Sequence, residues 1–476
     1  MNQDLDFVLQ FVVFFSLMLF VACITFLKCR GQEGQTNNTK HYFLAGRNLG
    51  WISVSGSLIM ANISAEQIVG MNGAQTLLVA WWEIGAVLGL IILARFLLPV
   101  YYRYNCTTTT ELLEHKFEDK SIRAIVSLFF LVGYIFILLP VILYTGSLFM
   151  KSLFGLEISL LSIALFFAFV GSLYSILGGL RAIAISDTIN GVGLLAMGTL
   201  VTIFAMNRVA WDFSGIPPSR FSLIGDNQSA IPWHTLLTGM IFIQVFYWGT
   251  NMAITQRALA AKSVREAQKG LYATIMFKLF IPIIVVIPGL IAFKLYGEIG
   301  DLSYGRLVSD TLPSWLSGAF AAVMAGAILS SFNSCLNSSS ALYICDIHQK
   351  YFNPKANIKR LARITGFFFT IIPVSLVPFY AQSASIVETM QQLNGLYTMP
   401  VLAAFICAFL LKKVKPSAVK LGLLAGILLY AVFIFYWNPL HYIHLMAITL
   451  GFSVLCTVLA NVMLKDPVGL ADPKTS

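Results

Sequence analysis

The sequence predicts an all-α polytopic membrane protein, and three observations support this fold class. The chain has 476 residues, of which 58% are hydrophobic and only 11% are charged, whereas soluble chains contain about a quarter charged residues. Its charges lie in short clusters between apolar runs of about 20 residues or more, which is the length that crosses a bilayer core. The sequence also lacks the short alternating segments that would indicate a membrane β-barrel.

Thirteen apolar runs are long enough to be membrane spans, and we expect them to form a single domain over residues 1–476. The first run, at residues 7–27, follows the acidic residues Asp4 and Asp6. A signal peptide begins with a basic region and has a shorter apolar core, so this run is predicted to be a retained helix. The predicted spans cover residues 7–27, 50–73, 78–100, 124–149, 157–179, 183–206, 233–255, 271–296, 313–345, 361–380, 384–411, 418–437 and 442–464.

The loops between these spans predict the orientation of the chain. With the N-terminus outside, the loops that face the cytoplasm hold 24 of the 31 Lys and Arg residues, the outer loops hold 5, and 2 lie within spans. Cytoplasmic loops of membrane proteins have an excess of Lys and Arg, so the sequence predicts an outer N-terminus and a cytoplasmic C-terminus. This topology explains the net charge of +10, and no nucleic-acid partner is needed to account for it.

Several function classes lack their sequence signals. The chain has no GxxxxGK[ST] motif for phosphate binding, which argues against an ATP-driven pump. Its seven cysteines include no CxxC pair, so neither a disulfide framework nor a cysteine metal site is predicted. No nucleophile, base and oxyanion donors are arranged together, so we do not expect an enzyme.

Two spans contain polar residues and glycines that would interrupt a helix. The second span includes SLIMANISAEQIVGMNG at residues 57–73, and the seventh includes IQVFYWGTNMAITQR at residues 243–257. Two interrupted spans in corresponding positions of two halves indicate the midplane site of a secondary transporter, because unwound backbone exposes carbonyls to ions. The alternative is that these residues only kink two packed helices.

Ionisable residues within spans are costly, so each is a candidate for a functional role. The candidates are Glu66, Glu83, Asp187, Lys278 and Glu388. Glu66 lies within the second span at its predicted interruption.

A further span contains eight Ser or Asn residues in the stretch SSFNSCLNSSS at residues 330–340. Helical spacing places Ser330, Asn333 or Ser334, and Asn337 on one face. Hard cations prefer oxygen ligands, so one interpretation is that these hydroxyls meet carbonyls of a broken helix and enclose a small cation. The other is a packing face of small residues with hydrogen bonds between helices.

Seven motifs in these regions follow each other along the chain: ANISAEQIVG (61–70), WWE (81–83), GGLRA (178–182), QRALAAKSVREAQKG (256–270), KLFIPIIVVIPG (278–289), AILSSFNSCLNSSSALYICDI (327–347) and MQQLNGLY (390–397). Together they resemble the sodium/solute symporter family, and within it the sodium/glucose cotransporter branch, which includes bacterial sodium/galactose symporters. The resemblance runs from about residue 40 to about residue 415. It implies a LeuT-type fold of two inverted five-helix repeats, at residues 50–206 and 233–411. One extra helix at residues 1–30 precedes the repeats, and two helices at residues 418–464 follow them.

The resemblance also implies where sodium binds. It assigns to one sodium ion the backbone carbonyls of Met60, Ile63 and Ala327 and the hydroxyls of Ser330 and Ser331. Asp187 resembles the acid that lines the sodium path. Asn333 and Ser334 are candidate ligands of a second ion, so the stoichiometry stays open.

For the solute, the resemblance implies a sugar site with gates on both sides. The assigned binding residues are Asn62, Gln67, Glu83, Gln244, Tyr247, Trp248, Lys278 and Gln391, and the assigned gate residues are Met71, Trp82 and Tyr247. Amides and carboxylates suit vicinal hydroxyls, and an aromatic face suits the C–H side of a pyranose ring. Glu83 and Lys278 are expected to neutralise each other in part. Gln244 and Ala86 depart from the Asn and Ser of the galactose symporters, which puts the particular sugar in doubt.

These observations predict a sodium-driven, electrogenic symporter for a neutral hexose such as galactose or glucose, working by alternating access in the plasma membrane, or the inner membrane of a bacterium. The expected partners are sodium, the sugar and the lipid bilayer, with no obligate protein partner. One alternative is sodium-coupled transport of a carboxylate, an amino acid or a vitamin, for which an anionic solute would need an unpaired Arg or a helix N-terminus. Another is a sugar sensor or leak channel without coupled transport.

Overall fold

The structure is a computed structural model that describes residues 2–29, 39–383, 385–411 and 413–464. Within these ranges almost all residues belong to helices or to short connections between them. The helices are α1 Asn2–Cys29, α2 Thr39–Phe43, α3 Trp51–Asn62, α4 Ala65–Gly73, α5 Trp81–Ile92, α6 Leu98–Arg103, α7 Glu111–Phe117, α8 Lys120–Gly133, α9 Leu139–Phe154, α10 Leu160–Arg208, α11 Gly239–Gly249, α12 Met252–Leu259, α13 Val264–Lys278, α14 Ile281–Val285, α15 Ile287–Tyr296, α16 Ser303–Thr311, α17 Ser314–Ala341, α18 Gln349–Tyr351, α19 Ile358–Tyr380, α20 Ile386–Leu410, α21 Pro416–Phe435 and α22 Tyr442–Met463.

Nine helical segments in the described part of the chain are long and apolar enough to cross a membrane, or eleven if each of two sharply bent pairs is one span. Two shorter apolar segments are Leu160–Leu173 and Gly239–Gly249. Each of the thirteen predicted spans overlaps one of these segments, while the number of spans that cross a bilayer and their orientation stay predictions. The C-terminal tail at residues 465–476, which the topology places in the cytoplasm, lies outside the described residues, as do Arg30 and Lys412.

The first predicted interruption is confirmed. The axes of α3 and α4 meet at 49°, and the two residues between them, Ile63 and Ser64, have non-helical dihedral angles. The Ser64 amide donates to the Asn62 carbonyl at 2.9 Å, which does not continue the helical pattern. Among the described residues, no donor therefore reaches the carbonyl oxygens of Met60 and Ile63.

The second predicted interruption, between α11 and α12, is confirmed as well. Asn251 caps the start of α12, because its side-chain oxygen accepts from the Ala253 amide at 3.0 Å. The hydroxyl of Tyr134 donates to the same oxygen at 2.5 Å. The carbonyl of Gly249, which the break frees from the helix, accepts from the Tyr101 hydroxyl at 3.0 Å. Side chains thus satisfy the Gly249 carbonyl and the Ala253 amide at this break.

Two further irregularities are not among the predicted breaks. α13 and the helices that follow it, α14 and α15, bend by 48°. Pro282 and Pro288 lie in the first turns of α14 and α15, where a missing amide hydrogen is tolerated. Within α10, Gly179 has a φ of 55°, and a Cβ there would lie 2.9 Å from the Tyr42 carbonyl oxygen. Both the left-handed backbone and the close approach therefore require glycine at that position.

α17 forms the centre of the protein. All but two of its side chains from Phe320 to Ala341 are buried, and it packs against α1, α3, α9 and α10. A π-helical stretch, Leu342–His348, continues it. There the carboxylate of Asp346 accepts from Arg123 at 2.6 Å, from Ser127 at 2.5 Å and from Thr108 at 2.9 Å. This end of α17 is thereby fixed to α8 and to the segment before α7.

Two arginines that the topology counts among cytoplasmic loop charges are buried within the protein instead. Arg123, on α8, is 3% exposed, and Arg257, on α12, is fully buried. Each pairs with a buried carboxylate, Arg123 with Asp346 at 2.6 Å and Arg257 with Asp187 at 3.8 Å. Without them the count is 22 inner against 5 outer residues, so the predicted orientation is unchanged.

Candidate functional site

A cavity lies between the two interrupted helices. The volume open to the centre of a water-sized sphere is about 140 Å³, roughly ten times the space that one buried water needs. Its walls come from α3, α4, α5, α9, α11, α12, α17, α20 and α22. The polar and aromatic side chains that line it are Asn62, Glu66, Gln67, Trp82, Gln244, Phe246, Tyr247, Trp248, Asn251, Ser331, Ser334, Gln391, Asn394, Tyr397 and Thr398.

Most of the residues that the resemblance assigns to the sugar and its gates meet in this cavity. Eight line it: Asn62, Gln67, Met71, Trp82, Gln244, Tyr247, Trp248 and Gln391. The other two, Glu83 and Lys278, do not line the cavity and are fully buried. Two residues of the predicted ion region, Ser331 and Ser334, also line the cavity.

Glu83 and Lys278 form the ion pair that the sequence predicts. The Lys278 ammonium donates to Glu83 Oε2 at 2.5 Å and also to Asn62 Oδ1. The other Glu83 oxygen accepts from Gln67 Nε2. Asn62 in turn donates through Nδ2 to the Tyr247 hydroxyl at 3.3 Å. A buried ion pair therefore orients the polar side chains that face the cavity.

Gln244 connects α5 with α11 through both ends of its amide. Its Nε2 donates to the Trp82 carbonyl at 3.0 Å, and its Oε1 accepts from Trp248 Nε1 at 3.2 Å. The Lys278 ammonium lies 5.1 Å from the centre of the Trp248 ring, which is within the range of a cation–π interaction. Gln244 and Trp248 thus shape the wall of the cavity through contacts within the protein.

The residues assigned to sodium lie on α3 and α17, which pack against each other. Met60 and Ile63 contribute the carbonyls without donors described above. The hydroxyl oxygens of Ser330 and Ser331 are buried, and neither makes a hydrogen bond of ordinary geometry among the described residues, while Ser330 lies next to the Asp187 carboxylate. A buried polar group without a partner costs about 1–3 kcal/mol. Neutral oxygens of this kind fit a small hard cation such as sodium.

Asp187 belongs to a second buried network beside these oxygens. Its Oδ2 accepts from the Ser57 hydroxyl at 2.5 Å and lies 3.8 Å from the Arg257 guanidinium. Arg257 also donates to the Ser334 hydroxyl. In contrast, Asp187 Oδ1 and Asn333 Oδ1 have no partner among the described residues. The guanidinium next to Ser334 makes that hydroxyl a poor cation ligand.

Arg257 is a candidate site residue that the sequence alone does not reveal. Arg257 lies seventy positions from Asp187 in the sequence, so no helical periodicity connects them. The only sequence signal is a charged residue in QRALAAKS next to the second interruption. Glu66 stands out as an ionisable residue in a span, and the structure adds that it lines the cavity. Its Oε2 atom is buried without a hydrogen-bond partner in the described part of the chain.

Comparisons with known proteins agree with this architecture. The sequence profile of the sodium:solute symporter family matches residues 42–426. The chain is 34% identical to the uncharacterized symporter YidK of Escherichia coli (strain K12), over 98% of the chain and 85% of that protein. It is 31% identical to a sodium/glucose cotransporter of Vibrio parahaemolyticus, over 94% of the chain and 88% of that protein.

The fold also resembles a solved structure. This is a Na⁺-coupled sialic acid symporter in a substrate-bound, outward-open state, with a TM-score of 0.81 over 97% of the chain and 99% of that protein. The two sequences are 18% identical, so this similarity establishes the fold and leaves the solute open.

Proposed function

We propose that this chain, which belongs to the sodium:solute symporter family, is an electrogenic, sodium-driven symporter of a neutral hexose such as glucose or galactose. As a member of that family it is a multi-pass transporter of the plasma membrane, or of the inner membrane in a bacterium. It uses sodium and is not an enzyme. The sodium/glucose cotransporter among its relatives supports a sugar as the solute.

The composition of the cavity wall is the observation that carries the sugar proposal. Asn62, Gln67 and Gln391 offer amide donors and acceptors for sugar hydroxyls. Tyr247 and Trp82 offer aromatic faces for the C–H side of the ring and stand, with Met71, as proposed gates. No Lys or Arg is among the described residues that line the cavity. Such a wall, which also includes Glu66, suits a hydroxyl-rich solute without an anionic group.

Sodium is proposed to bind where α3 ends against α17. The proposed ligands are the carbonyls of Met60, Ile63 and Ala327 and the hydroxyls of Ser330 and Ser331. Four of these five oxygens lack a donor or a partner among the described residues. Because Ser331 also lines the cavity, sodium and solute share one wall, and each would raise the affinity for the other.

A second ion or the sodium path is proposed beside this site. Asp187 and Asn333 support it, because each has a buried oxygen without a partner among the described residues. Ser334 was assigned to the same role, but the Arg257 guanidinium donates to its hydroxyl and would repel a cation there. Asn333 therefore has the stronger support, because the same guanidinium also pairs with Asp187.

The proposed transport cycle follows from the repeats. Inverted repeats at residues 50–206 and 233–411 would contribute the interrupted helices α3–α4 and α11–α12. The other eleven of the thirteen proposed spans, with an outer N-terminus, would surround them. Alternating access would then expose the cavity to one side at a time. Each sodium charge that moves down a potential of about 100 mV supplies about 2.3 kcal/mol, enough for roughly 50-fold accumulation.

A sodium-coupled carboxylate, amino acid or vitamin transporter is the second candidate function. The fold shared with a sialic acid symporter is the observation that keeps it open. A carboxylate would need a cation in the cavity wall, whereas Lys278 is bonded to Glu83 and Asn62 away from the cavity. The cavity therefore favours the neutral sugar.

Uptake into proteoliposomes tests the proposed function. We expect labelled glucose or galactose to accumulate when a sodium gradient is imposed, and not when potassium replaces sodium. Liposomes without protein provide the background. Sodium-driven uptake of an organic acid or amino acid together with no uptake of any hexose would contradict the sugar proposal and support the second candidate.

A further inference from the structure

Five ionisable side chains lie around the cavity. Four of them form two buried ion pairs, and the fifth, Glu66, is not in an ion pair with a described residue. Glu83 lies 2.5 Å from Lys278, and Asp187 lies 3.8 Å from Arg257. All four of these side chains are fully buried. Glu66 is the remaining acid in this region, and no Lys or Arg within ion-pair distance is found for it among the described residues. The charges of the two pairs cancel, so Glu66 determines the net charge of the cavity.

Glu66 faces the cavity among other acceptors. It lies in the first turn of α4, directly after the first break, and lines the cavity. Its Oε2 oxygen is buried without a partner in the described residues, and the same holds for Gln67 Oε1 and Ser331 Oγ. Gln67 and Ser331 lie on α4 and α17 and also line the cavity. Two facing walls thus present oxygen atoms to one space.

A buried carboxylate without a counter-charge is costly, because the low dielectric of the interior penalises an isolated ion. The protein supplies no cation here, whereas it supplies one for each of the other two acids. A proton on the carboxyl or a cation that enters the cavity would remove this cost. A carboxylate with neutral oxygens around it is a ligand set that can bind a monovalent cation or an ammonium group.

We propose that Glu66 is the acid of a cation-binding subsite in the central cavity, which binds either the ammonium group of an amino-bearing sugar or a sodium ion. The subsite has an acid, whereas the sodium ligands proposed at the end of α3 and on α17 are all neutral, and the two adjoin at Ser331, which lines the same cavity. This inference rests on the proposed function, because it takes the cavity to be the solute site. It adds that the cavity discriminates solutes by charge and rejects anionic ones.

Binding to the purified full-length protein tests the subsite. The variant is Glu66→Gln, which keeps the shape of the side chain and removes its charge. The matched control is Glu388→Gln, because Glu388 is an exposed acid on α20 whose one hydrogen bond among the described residues is from Gln392, at 3.1 Å. Calorimetric titration compares sodium, glucose, and glucosamine below the pKa of its amine.

Two results would support the subsite and identify its ligand. If the solute provides the cation, Glu66→Gln weakens glucosamine binding relative to glucose by at least about tenfold and leaves sodium affinity unchanged. If sodium is the ligand, the same variant weakens sodium binding by at least about tenfold and leaves the ratio of the two sugars unchanged. In either case Glu388→Gln binds all three as the wild type does.

Other results would overturn the subsite. Equal affinities of the wild type and Glu66→Gln for sodium and for glucosamine would exclude a cation role. A change in pH dependence alone would mean that Glu66 binds a proton, which also contradicts the proposal. Failure of the wild type to transport any hexose would instead contradict the proposed function, so the two failures are distinguishable.

Discussion

The two helix breaks beside the cavity differ in how their backbone groups are satisfied. At the break between α11 and α12, Tyr101 donates to the freed Gly249 carbonyl and Asn251 caps the next helix. At the break between α3 and α4, no described residue donates to the carbonyls of Met60 and Ile63. At the second break side chains pair with these two backbone groups, whereas at the first break the carbonyls of Met60 and Ile63 have no donor in the described part of the chain and lie beside a helix rich in hydroxyls.

This difference indicates which break binds an ion. Buried backbone groups are almost always paired in folded proteins, so a carbonyl that already has a donor, such as that of Gly249, is a weaker candidate ligand for an ion. At the other break, carbonyl oxygens without a donor lie next to the hydroxyls of Ser330 and Ser331. A cation could bind to these oxygens. The two interruptions look similar in the sequence, but we expect only the one between α3 and α4 to bind sodium.

The largest effect should come from the ion pair that supports the first break. Lys278→Met leaves Glu83 buried and charged without its partner, which costs about 3–5 kcal/mol. It also releases Asn62, which the ammonium holds at the end of α3. We expect a large fall in the unfolding temperature in detergent and loss of sugar uptake.

The matched control for this variant removes both charges. Lys278→Met combined with Glu83→Gln should recover most of the stability, because no unpaired charge remains, but should not recover sugar uptake. A single variant as stable as the wild type would show that the first break does not depend on the pair.

A smaller effect is expected at the second break. Asn251→Ala removes the cap of α12, which costs about 0.5–2 kcal/mol, and leaves the buried Tyr134 hydroxyl without its acceptor, which costs about 1–3 kcal/mol. The unfolding temperature should fall, while the sodium concentration for half-maximal uptake should not change, because this break holds no sodium ligand. Asn251→Ser, which can still cap the helix, should recover part of the loss. A change in sodium dependence would contradict the contrast between the breaks.

The sequence predicts both breaks because their signals are local. Asn62 and Ser64 lie within one apolar run, and Gly249 and Asn251 lie within another. Each interruption can therefore be predicted from its own run, without knowledge of contacts to other segments. The pairing of Glu83 with Lys278 was also predictable, since both are ionisable residues within spans and the resemblance assigns both to the sugar site.

The remaining features depend on contacts between distant segments. The partner of Arg257 is Asp187, on a helix that no periodic pattern relates to α12, so the sequence places this arginine in a loop. That Glu66 lacks a basic partner among the described residues can be recognised only from the structure, once Glu83 and Asp187 are seen to pair with Lys278 and Arg257. The sequence also does not distinguish the carbonyl of Met60, which has no described donor, from that of Gly249, which has one. The donor to Gly249 is Tyr101, which is distant from this break in the sequence.

The smallest of the expected effects is the most specific test of the first break. Ser331→Ala removes a buried hydroxyl without a protein partner, so the unfolding temperature should stay close to that of the wild type. The sodium concentration for half-maximal uptake should rise about tenfold, which corresponds to about 1.4 kcal/mol for one lost ligand. Ser339→Ala is the matched control, because this buried serine of α17 donates to the Cys335 carbonyl at 2.8 Å. An unchanged sodium requirement in Ser331→Ala, or an equal rise in both variants, would mean that the hydroxyls of α17 only pack against neighbouring helices.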